Sequence, residues 1–92
     1  MVWVKLKMEN RIHLKEEQLK AKLLEGLKGI GKYKVVVRLW ENKSYYISVV
    51  NSLITDEAYS LVITTLEGEG LKPYWVEREK GRLRIDAKPV EK

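Results

Sequence analysis

Alternating apolar and polar side chains predict a β-hairpin over residues 32–51. Two runs rich in β-branched and aromatic residues, 32–40 and 45–51, flank a short polar segment, a pattern typical of two paired strands. A three-residue loop over 42–44 sets a register that gives one uniformly apolar face. This register pairs Val37 with Val49 and Leu39 with Ile47.

Four further elements follow from the same kind of pattern. Residues 2–8 alternate between apolar and polar and predict a strand, whereas apolar residues recur every three or four positions over 14–28 and predict a helix. A second helix is predicted from Thr55, a suitable N-cap, to Gly68. Its β-branched run Val62-Ile63-Thr64-Thr65 leaves a strand as the alternative. A last hairpin, 71–79 with 82–88, turns at Lys80-Gly81. It pairs Glu77 with Arg84 as opposite charges, and Val76 with Ile85 and Tyr74 with Ala87 on the core face.

This order of elements predicts a ferredoxin-like two-layer α+β sandwich. The order is β-α-β-β-α-β plus a C-terminal strand, which places two helices on one face of an antiparallel sheet. The expected strand order is four-one-three-two, with the fifth strand outside the fourth. We expect residues 1–92 to form a single domain, with 89–92 as a flexible tail.

The composition disfavours the common catalytic and metal-binding arrangements. Among 92 residues there is one histidine and no cysteine, so triads and thiolate or histidine-rich metal sites lack their members. We therefore predict a protein that is not an enzyme and has no metal or cofactor. No apolar run is long enough for a membrane span or a signal peptide, so we predict a cytoplasmic protein without a membrane partner. The abundance of Lys and Glu is typical of heat-adapted proteins.

The face of the predicted sheet opposite the helices is the candidate site. The chain carries a formal net charge of +5, which favours polyanionic partners. Lys and Arg interleaved with aromatic rings are typical of single-stranded nucleic-acid binding, because the rings stack on bases and the cations contact phosphates. The side chains predicted to bind RNA or DNA in this way are Trp3, Lys5, Lys7, Lys34, Arg38, Trp40, Tyr46 and Trp75.

The predicted layout is similar to that of the RNA-recognition motif, which binds RNA on the same sheet face. The similarity covers topology only. The segment Lys43-Ser44-Tyr45-Tyr46 shares with the motif's third-strand consensus little more than Lys43 and an aromatic at Tyr45. Self-association into a homodimer, or binding of another protein, through the same aromatic face is therefore an open alternative.

Overall fold

A computed structural model describes the backbone of residues 2–40 and 42–90 and the side chains of 15–40 and 42–90. Its elements are helix α1 (Val2–Leu27), strands β1 (Lys34–Leu39) and β2 (Tyr45–Val50), helix α2 (Asp56–Gly68), and strands β3 (Leu71–Arg78) and β4 (Arg82–Pro89). The four strands form one antiparallel sheet in the order β1-β2-β4-β3. The fold is α+β, as predicted, with two helices and a four-stranded sheet.

The N-terminal strand predicted over residues 2–8 is wrong, because Val2–Leu27 forms one helix. The ferredoxin-like strand order is therefore not found. In the structure β4 lies between β2 and β3, the central place predicted for the N-terminal strand. Two features account for this outcome. The inward side chains of β4 (Leu83, Ile85 and Ala87) are fully buried, and residues 1–25 contain no glycine or proline to end a helix.

The first hairpin keeps its predicted faces but shifts its register by two residues. Val37 pairs with Ile47, and Val35 with Val49, so the predicted pairs of Val37 with Val49 and Leu39 with Ile47 are wrong. The turn lies one residue earlier in the chain than predicted, because Trp40 N donates to Ser44 O and Lys43 adopts a positive φ of 65°. A shift of two preserves the side-chain period of a strand, so the same residues face the core.

The second hairpin forms with its predicted turn and a bulge in β3. Val76 pairs with Ile85 and Glu77 with Arg84, as predicted. The predicted pair of Tyr74 with Ala87 is wrong, because the register shifts between Pro73 and Trp75. This bulge leaves Tyr74 as an extra residue in the strand. Strand β4 runs through Pro89, and Val90 N donates to Gly70 O, so the ordered sheet extends into the predicted tail; residues 91 and 92 lie outside the described residues.

Both helices bury one stripe against the same face of the sheet. The predicted cap of α2 is confirmed, since the Thr55 side chain accepts a hydrogen bond from Ala58 N. Burial of Val62 within α2 outweighs the strand preference of its β-branched neighbours, because packing decides more than propensity. One continuous core results, formed by Leu19, Leu23, Leu27, Tyr33, Val35, Val37, Ile47, Val49, Ile54, Ala58, Val62, Leu66, Leu71, Leu83, Ile85 and Ala87.

A polar contact joins α1 to the outer edge of the sheet. The Leu39 amide donates a hydrogen bond to Glu16 Oε2 at 2.7 Å. The Tyr45 hydroxyl lies on the same side of the sheet. Burial, and then the charges of Glu16 and Glu69, raise the pKa of Tyr45. The Tyr45 hydroxyl therefore lies within reach of two negative charges at the boundary between α1 and the sheet.

Candidate nucleic-acid interface

The open face of the sheet is the side without helices, and it is predominantly basic. It consists of the residues that alternate with the buried positions of each strand. Six are cations: Lys34, Arg38, Lys72, Arg82, Arg84 and Lys88. Glu77 and Asp86 lie on this face, and Glu79 continues it at the turn. Positive charge thus exceeds negative charge on the open face, which favours a polyanion.

Five of the predicted site residues lie on the open face. Lys34, Arg38 and Tyr46 belong to β1 and β2, Trp40 follows β1, and Trp75 lies on β3. Trp40 is 56% exposed and Trp75 is 51% exposed. These two tryptophans are large aromatic surfaces that this face offers to a ligand.

The other three predicted site residues do not belong to the sheet. Trp3, Lys5 and Lys7 were assigned to an N-terminal strand, but all three lie within α1. Their placement on the open face is therefore wrong. Their side chains lie outside the described residues, and the interface is built from β1 to β4.

The bulge in β3 adds an aromatic ring that the sequence analysis missed. Successive residues of a regular strand point to opposite faces, yet Tyr74 and its neighbour Trp75 both lie on the open face. The Tyr74 hydroxyl makes a hydrogen bond with Ser44 Oγ across β4, and Lys88 Nζ lies 5.0 Å from the centre of its ring. The one signal in the sequence was Pro73, which favours the edge of a sheet or a bulge.

A charged pair occupies the middle of the open face. Arg84 Nη2 lies 3.5 Å from Asp86 Oδ2, and Arg84 Cζ lies 5.1 Å from the centre of the Tyr46 ring. Arg84 Nε and Asp86 Oδ1 are both buried, so these two side chains lie along the sheet instead of extending into solvent. One side of the Tyr46 ring is consequently covered by a guanidinium group.

The indole of Trp75 is oriented by the residue two positions later on the same face. Trp75 Nε1 donates a hydrogen bond to Glu77 Oε1 at 3.2 Å. The predicted ion pair of Glu77 with Arg84 has the expected backbone register, but Arg84 instead reaches Asp86. The Glu77 carboxylate therefore accepts from the Trp75 indole, and this hydrogen bond holds the ring on β3, the outer strand of the sheet.

Both edges of the sheet are modified in ways that oppose pairing with another strand. At β1 the outward amide of Leu39 is already bonded to Glu16. At β3 the bulge and Pro73 interrupt the edge, since proline has no amide hydrogen. Charges, bulges and prolines at edge strands prevent edge-to-edge association. The open face is thus a better candidate for binding than either edge.

Comparison of the chain with known protein families, with curated proteins and with solved structures finds no match. Among the described residues, neither helix combines the length and apolarity of a membrane span. The interface must therefore be interpreted from its own geometry and charge.

Proposed function

We propose that this protein binds single-stranded nucleic acid on the open face of its sheet. The observation that carries the proposal is the joint placement of Trp40 and Trp75, both about half exposed, among six Lys and Arg side chains. Bases of a single strand stack on such rings, while phosphates contact the surrounding cations. The proposed role is binding without catalysis.

Tryptophan fluorescence provides a direct test. The chain has three tryptophans, so in the W3F variant all indole emission comes from Trp40 and Trp75. We expect single-stranded oligonucleotides to quench W3F as strongly as the wild type at low salt, and a duplex of the same sequence to quench weakly. If quenching disappears in W3F, the open face is not the binding site; if the wild type shows no binding at all, the proposed function is wrong.

Alanine substitution of each tryptophan measures how much its ring contributes to the binding free energy. W40A and W75A should each weaken binding by about 1–3 kcal/mol, the usual contribution of one stacked base. The matched control is L53A, which removes a comparably exposed apolar side chain (49% exposed) from the loop between β2 and α2. Equal losses for L53A and the tryptophan variants would show that the effect is not specific to the open face.

A second candidate is a protein interface on the same face, either with a second copy or with another protein. Val36 and Val50 are 44% and 40% exposed there, and Trp40 lies on the same face. Two copies meeting face to face would oppose their positive charges, which costs energy. A dimer mass by light scattering that W40E converts to a monomer would favour this second candidate, and a monomeric wild type would exclude the homodimer.

A further inference from the structure

We propose that Arg84, and not Tyr46, presents the central stacking surface of the open face, between Trp40 and Trp75. This inference rests on the proposed function and identifies the form of the ligand, a single strand whose bases are unstacked from one another. It also replaces the sequence-based assignment of Tyr46 as a residue that stacks directly on a base.

The covering of Tyr46 by Arg84 is the first argument. Arg84 Cζ lies over the ring at 5.1 Å from its centre, and the Arg84 side chain is 36% exposed. One face of the Tyr46 ring is therefore occupied, and a base that would stack on that face meets the guanidinium group instead. The guanidinium group also contacts Asp86, with Arg84 Nη2 at 3.5 Å from Asp86 Oδ2.

The chemistry of the guanidinium group is the second argument. It is planar, and bases of single-stranded RNA stack on arginine planes as they do on aromatic rings. It is also weakly hydrated compared with an ammonium group, so covering it with a base costs little. A ring against one of its faces and a carboxylate beside it restrict the plane before the ligand arrives, which lowers the entropic cost of binding.

The spacing of the three surfaces is the third argument. Tyr46 and Trp75 both lie level with Asp86, and they are separated by two strand spacings, or about 10 Å. Trp40 lies one strand spacing and two residues from Tyr46, or about 8 Å away. Bases in a stacked helix are only about 3.4 Å apart. The three surfaces can therefore be filled together only by bases that are splayed apart.

The R84K variant separates stacking from charge. It keeps the positive charge but removes the plane. With a labelled single-stranded oligonucleotide of about ten nucleotides, we expect R84K to bind at least about fivefold more weakly than the wild type. Its salt dependence should be unchanged, because the number of phosphate contacts is the same. The matched control is R78K, because Arg78 also lies 5.1 Å from the centre of a tyrosine ring (Tyr59) and pairs with an aspartate (Asp56), but on the helix side of the sheet. R78K should bind as the wild type does.

The outcomes distinguish this inference from the proposed function. If the wild type binds and R84K binds equally well, or if R78K loses as much affinity as R84K, the stacking role of Arg84 is overturned while the proposed function stands. If the wild type does not bind the oligonucleotide, both are overturned.

A measurement on the free protein tests the covering of Tyr46 independently of any ligand. In nuclear magnetic resonance spectra, protons of the Arg84 side chain should be shifted upfield by the Tyr46 ring in the wild type and should lose that shift in Y46L. Unshifted Arg84 protons in the wild type would overturn the arrangement, whatever the binding data show.

Discussion

The salt dependence of binding can be worked out from the charges on the open face. Of its six cations, Arg84 is paired with Asp86, and Lys88 lies over a tyrosine ring. The remaining four have no ion pair among the described residues and are available to phosphates: Lys34, Arg38, Lys72 and Arg82. For a single strand, the logarithm of affinity falls with the logarithm of salt by about 0.7 per neutralised phosphate, which gives a slope of about −2.8.

This slope corresponds to a large and measurable change. Between about 50 and 200 mM salt, affinity should fall about fiftyfold for four phosphate contacts. Substitution of Lys34 by glutamine removes one contact and should reduce the slope to about −2.1, or a fall of about eighteenfold over the same range. Fluorescence anisotropy of a labelled oligonucleotide at four or five salt concentrations measures both slopes.

The matched control for K34Q is K28Q. Lys28 is exposed and follows α1, on the helix side of the sheet, so K28Q changes the net charge by the same amount without touching the open face. We expect the K28Q slope to equal that of the wild type. Equal slopes for K34Q and K28Q would refute the reasoning, because they would show that binding depends on net charge and not on the open face.

Three further predictions concern stability. Burial raises the pKa of Tyr45, so the contribution of its neutral phenol to the free energy of unfolding is complete below about pH 10 and is lost as the pH rises through the folded-state pKa. In urea melts at alkaline pH, Y45F should therefore lose less stability than the wild type. E16A should lower the free energy of unfolding by about 1–2 kcal/mol and speed hydrogen exchange of the Leu39 amide, and unchanged exchange would contradict the edge contact. G81A should destabilise by about 1–3 kcal/mol, since a Cβ there would lie 2.7 Å from a backbone oxygen. In thermal melts G29A, where space is open, should be neutral.

The faces of the strands could be predicted from sequence because alternation survives an error in register. Val37 and Ile47 were both expected to face the core, and both do, although their pairing partners were wrong. A shift of two residues moves each side chain along the sheet without moving it to the other face. For the same reason Lys34, Arg38 and Tyr46 were correctly placed on the open face.

The N-terminal segment could not be predicted in the same way. Val2, Val4, Leu6 and Met8 alternate as a strand does, but the neighbouring sequence also permits a helix with no interruption. Two segments of the chain, residues 2–8 and β4, had patterns suited to the central position of the sheet. Which of them takes that position depends on the packing of the whole core, and a local pattern does not contain that information.

Long-range contacts within the interface were also beyond the reach of the sequence. Alternation alone predicted that Tyr74 faces the core, and the bulge reversed that prediction. The position of Arg84 over Tyr46 depends on the register between β2 and β4, two strands that were not expected to be neighbours. The composition of the interface was thus partly predictable, whereas its internal arrangement was not.

The bulge in β3 also determines how the open face can gain or lose an aromatic residue by insertion or deletion. Pro73 pairs with Ala87 and Trp75 pairs with Asp86, so the ladder is continuous on either side of Tyr74. Deleting that single residue would leave a regular strand in which Pro73 and Val76 still lie opposite Ala87 and Ile85, and only one ring would be lost from the opposite side. The protein can therefore acquire or discard an aromatic contact by a one-codon insertion or deletion, while the interior that keeps it folded is left untouched.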